Sequence, residues 1–145
     1  MRMKAFAAVA LLISSAAHAG PYSDDLAKCL VSSTSKEDRI ALVRWMFAAA
    51  SAHPAVASIA KVSPKTMDEA NASTGALFMR LLTDSCKDKA KTALQYEGPA
   101  TMQTSFTVLG QVAATEMFSS PEVKQAMAGL EKHVDPKKLQ ELTGK

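Results

Sequence analysis

Between Ser35 and Pro54 the chain reads Ser-Lys-Glu-Asp-Arg-Ile-Ala-Leu-Val-Arg-Trp-Met-Phe-Ala-Ala-Ala-Ser-Ala-His-Pro, a helical stretch with apolar residues on more than one face. At 100° per residue, Ile40, Val43, Met46, Phe47 and Ala50 form one apolar stripe, while Leu42, Trp45, Ala49 and Ala52 cover much of the opposite side. Ser35 with Asp38, or Thr34 with Glu37, can satisfy the free amides of the first turn, and the acidic residues suit its positive end. Pro54 stops the helix by withholding an amide hydrogen. The pattern predicts a central helix from Ser35 to Ala52, about 27 Å long, packed on nearly every side. Such a helix needs other helices around it, and the remainder of the chain is consistent with supplying them.

Met1 to Ala19 carries two early cations, Arg2 and Lys4, then the uncharged run Ala5 to Ala17, and ends Ala17-His18-Ala19. A basic start, an apolar middle and a small-x-small end describe a secretory signal peptide. The apolar run is shorter than the ~20 residues that cross a bilayer, and no later stretch is as long without charge. The expected division is a signal peptide over 1–19 and one helical domain over 20–145, located in the periplasm or secreted. The full chain has 17 basic and 14 acidic residues; without Arg2 and Lys4 the balance is 15 against 14, or +1. Nucleic-acid binding is therefore not expected, and Lys87, Lys89 and Lys91 read as a solvated helix face.

Two cysteines remain, Cys29 and Cys86, and an oxidising compartment favours joining them. Closing a loop of that length is worth roughly 4 kcal/mol in the chain-entropy description. A redox or metal-binding pair is the alternative, but there is no Cys-x-x-Cys spacing and no histidine near either thiol.

Other helices are expected from Tyr22 to Ser33 with Ser23 as its cap, and from Ser63-Pro64 through Arg80. Another opens near Cys86 after an Asp84 or Ser85 cap and ends at Gly98-Pro99; the next runs from Ala100 to Ser119. Shorter ones follow Ser120-Pro121 and Asp135-Pro136. There is no sustained alternating pattern and no fixed repeat, so the fold class is all-α: a single compact bundle of five to seven helices with one disulfide.

Few residues invite chemistry. Arg44 is the only charge between Arg39 and Lys61, and Glu116 the only one between Glu97 and Glu122. An unpaired buried charge is costly, so Arg44 and Glu116 are expected to meet as a buried ion pair where their helices cross. His53 could be an acid, base or ligand, but its place before Pro54 fits a cap on the last carbonyls of the central helix; His133 is read the same way. The chain lacks His-x-x-x-His, Gly-x-Ser-x-Gly and Cys-x-x-Cys-His, so neither a metal site, nor hydrolase chemistry, nor covalent haem has specific support. No catalytic residue and no cofactor are expected.

The resulting expectation is a non-enzymatic exported protein that works by binding another protein, as an inhibitor or immunity-type protein of the periplasm. In size, export, helicity and cysteine pair it resembles the small periplasmic immunity proteins that block amidase effectors of type VI secretion; the likeness is one of architecture and carries no residues across. The alternative is a periplasmic carrier holding an apolar small molecule between helices, with Trp45, Phe47, Phe78, Phe106 and Phe118 as core or ligand-lining residues. An enclosed cavity above ~300 Å³ would favour the carrier, and a packed core with an exposed apolar patch would favour the binding protein.

Overall fold

In helix α1 (Pro21–Ser32) the residues Ser23, Leu26, Ala27 and Leu30 recur at helical spacing and all are buried, the two leucines completely. The computed structural model describes residues 20–144; the signal peptide expected over 1–19 lies outside the described residues. Seven α-helices follow among them: α2 (Lys36–Ser51), α3 (Pro54–Ala57), α4 (Pro64–Arg80), α5 (Lys87–Glu97), α6 (Ala100–Ser119), α7 (Pro121–Ala128) and α8 (Pro136–Leu142). A π turn, Leu81–Ser85, joins α4 to α5, and a 3₁₀ turn, Gly129–His133, follows α7. The described residues contain no strand, so the chain is an all-α bundle.

The packing follows from which faces are apolar. One side of α1 packs on α6, another on α5; α2 packs on α4 and α6, so α6 ties the two groups together. Leu26, Leu30, Leu42, Leu77, Leu81, Leu109 and Ala113 form the core, with Val43, Met46, Phe78 and Phe106 partly buried against it. The helix expected to be central, α2, is not: only Leu42, Ala48 and Ser51 are buried, while Ile40 is 44% and Phe47 56% exposed. With α4 on one flank, α6 on the other and only the short α3 besides, no further helix among the described residues covers the third face of α2.

Helix starts follow local chemistry. Ser35 Oγ accepts from the Asp38 amide at 3.1 Å and Asp38 Oδ2 accepts from the Ser35 amide at 2.8 Å, a complete capping box. Ser63, Ser120 and Asp135 cap α4, α7 and α8, each ahead of a proline at the first helical position. Gly98 ends α5 at φ +79°, a backbone conformation that a side chain would disfavour.

Ser23, by contrast, is not the cap of α1. Gly20 holds that place with no side chain to offer, and Glu97 at the end of α5 supplies the oxygens instead. Its Oε1 accepts from the Tyr22 amide at 2.8 Å, and its Oε2 accepts from the Ser23 amide at 2.8 Å and from the Ser23 hydroxyl. Ser23 Oγ also meets Thr101 Oγ1 at 2.5 Å, and Ser105 donates to the Ser23 carbonyl at 2.9 Å. This buried polar corner locks α1 to the junction of α5 and α6 with its hydroxyls partnered.

Cys29 and Cys86 form the expected disulfide, with Cα atoms 5.9 Å apart. The π turn aims the second cysteine. Residues five apart in an α-helix lie about 140° apart around the axis, but i→i+5 bonding brings them onto one side. The Cys86 amide bonds the Leu81 carbonyl at 2.8 Å, and both residues face inward.

Candidate interaction surface

Arg44 sits on the uncovered face of α2, two positions from the buried Leu42 and so about 200° around the helix from it. The ion pair expected between Arg44 and Glu116 is not formed. Glu116 takes Arg39 instead, with Nε 2.7 Å from Oε1, and Arg39 Nη1 donates to the Thr34 carbonyl at 2.8 Å. The two arginines are five positions apart, about 140° around the helix, so Arg39 lies on the side of α2 turned toward α6 while Arg44 points outward. Nor is the observed pair buried, since the Glu116 side chain is 47% exposed. Among the described residues no carboxylate lies within ion-pair distance of Arg44.

Three adjoining grooves share Arg44 as a wall. One of about 400 Å³ runs between α2 and α4, past Glu37, Ile40, Glu69 and Ser73. A second, about 420 Å³, lies between α2 and α6 past Lys36, Ile40, Val43 and Glu116. The third, about 520 Å³, is lined by Val43, Phe47, Ala48, Val62, Thr66 and Met117 beside Arg44 and is the most apolar of the three. All open to solvent rather than forming enclosed chambers. Further along, Phe118 borders another open groove of about 450 Å³ with Met127, Leu130 and Val134.

The aromatic residues expected to line a core or cavity divide into two sets. Trp45 meets Phe78 edge-on with centroids 6.2 Å apart, and Phe78 tilts onto Phe106 at 4.4 Å. Trp45 Nε1 donates to Asn71 Oδ1 at 3.0 Å, which satisfies the indole and joins α2 to α4. These three rings fill the junction of α2, α4 and α6. Phe47 and Phe118 do not belong to it: they are 56% and 51% exposed and border open grooves.

His53 is a helix-end residue, but of the other helix. It precedes α3, and its Nδ1 accepts from the Ala55 amide at 3.2 Å instead of facing the carbonyls of α2. It lies outside the three grooves that Arg44 borders, so Arg44, Glu116 and His53 do not assemble into one site. Among the described residues no three His, Cys, Asp or Glu side chains come together, and no helix is long and apolar enough to cross a membrane.

The sequence marked Arg44 as anomalous through its isolation, which in the structure reflects an apolar surface and not a buried pair. Val62 carries no such signal; it reaches the groove because the segment between α3 and α4 folds back over the end of α2. No family model matches the chain, and neither a curated protein nor a solved structure matches it.

Proposed function

We propose that this is an exported protein of the periplasm or cell exterior that acts by binding another protein, as an inhibitor or immunity-type protein does, through the uncovered face of α2. One observation carries the reading: Phe47, more than half exposed, stands beside an open apolar groove of about 520 Å³ with a single unpaired guanidinium, Arg44, on its wall. A large apolar side chain on a rigid helix, next to a concavity and a free donor group, has the composition of an interface centre. A carrier would enclose its ligand, and these grooves are open.

The test is capture of the mature, disulfide-intact protein from its host's cell envelope, in parallel with Phe47→Glu and with Arg44→Glu. A stoichiometric partner retained by the native protein and lost by both variants, whose circular dichroism and melting are unchanged, is the expected result. A small molecule released from the purified protein, or a partner retained equally by all three, would overturn the reading.

A further inference from the structure

Gly20 and Glu97 are in closer register than capping requires. A Cβ on Gly20 would come within 2.1 Å of Glu97 Oε1 and 2.4 Å of its Cδ, so the carboxylate is pressed against the Cα of Gly20. A side chain at position 20 would have to push aside the carboxylate that accepts from Tyr22 and Ser23. The sequence places the end of the signal peptide at Ala19, one bond from that nitrogen.

We infer that removal of the signal peptide is itself a structural step: it creates a Gly20 α-ammonium group that pairs with Glu97 and fastens the start of α1 to the α5–α6 corner. Hydrolysis by a peptidase of the export machinery breaks the Ala19–Gly20 amide bond. Water supplies an oxygen to the new Ala19 carboxylate, and the Gly20 amine takes up a proton at neutral pH. In the precursor the same nitrogen is an uncharged amide, and the carboxylate faces only neutral donors. The mature chain adds a full positive charge beside an acidic partner that is already seated; the dipole of α1 opposes a cation at this end, and the Glu97 carboxylate offsets it. The residues at this corner are thus a maturation site, with Gly20 giving access and Glu97 as the acceptor.

The experiment compares two disulfide-intact chains, one beginning at Gly20 and one retaining an N-acetylated Ala19 before it, each with and without Glu97→Gln. In the native background the Gly20-first chain should have a folding equilibrium constant about two- to fivefold larger, as for a partly exposed charge pair. In Glu97→Gln that ratio should fall to about one. Equal ratios in the two backgrounds, or no difference in the native one, would overturn the inference. Should Glu97→Gln not fold, carbamylation of the native α-amine by cyanate provides a second measurement. It should run several-fold slower than in a Gly-Pro-Tyr peptide, and an equal rate would overturn the inference. The intact mass of the exported protein must also correspond to a chain starting at Gly20; any other first residue would dispose of it.

Discussion

Arg80 Nη2 donates to Asp38 Oδ2 at 2.7 Å, and that same oxygen accepts the Ser35 amide at 2.8 Å. One carboxylate thus closes the capping box of α2 and ties α2 to the last turn of α4. Asp38→Ala should lower stability by about 1–2 kcal/mol, since it removes a cap and an inter-helix contact together. Arg80→Ala leaves the cap and should cost only about 0.2–1 kcal/mol, because the arginine side chain is partly exposed, at 43%. Urea denaturation of the two single variants and the double variant measures both, and the double should fall short of the sum.

Two carboxylates make the fold sensitive to acid. Burial pushes Asp38 up, but hydrogen bonds from Ser35 and the charge of Arg80 outweigh it and hold it below its ordinary 3.8. At Glu97 burial again pushes up, and the Ser23 hydroxyl with the Tyr22 and Ser23 amides brings it below its ordinary 4.5. A depressed folded-state value means the unfolded chain binds the proton more readily. The stabilisation is therefore fully present above the unfolded values and is lost as pH falls through the folded ones. Melting temperature should be flat on this account above about pH 6 and decline in acid. Asp38→Asn should flatten part of that decline.

The disulfide joins α1 to the turn that opens α5 across a separation of 57 residues. Replacing both cysteines by serine should cost about 2–4 kcal/mol, read as a shift in urea midpoint. Reducing the native protein should give a shift of similar size.

Core and surface apolar residues should respond in opposite ways. Leu109 is 1% exposed, and Leu109→Ala should cost about 2–5 kcal/mol. Phe47, at 56% exposed, should tolerate serine within about 0.5 kcal/mol. A large loss for Phe47→Ser would mean that this ring supports the fold.

What could be read in advance was whatever local chemistry decides. Serine or aspartate ahead of a proline marked α4, α7 and α8, Ser35 with Asp38 marked α2, and the limits of α6 matched Ala100 and Ser119. What depends on distant segments was not legible. Ser23 has the residue type of a cap, yet Glu97, 74 positions away, takes that role and turns Ser23 into the interior. His53 lies between two helices, and only the fold decides which one it serves. Isolation of a charge in sequence says that its neighbours are apolar, not that they are covered, which is why Arg44 emerged on an open face. The periodicity of α2 shows two apolar sides, but how many helices arrive to bury them is a property of the whole topology.

The C-terminal arm divides the molecule in another sense. Among the described residues α7 packs only on α6 and the 3₁₀ turn, and α8 packs on no other element. Amides in a segment held so lightly exchange with solvent through local opening, whereas those of α1, between α5 and α6 and pinned by the disulfide, exchange only when the whole bundle unfolds. Denaturant would then accelerate deuterium uptake steeply in α1 and hardly at all in α8, so that one chain has two apparent stabilities and its arm can reshape without disturbing the bundle.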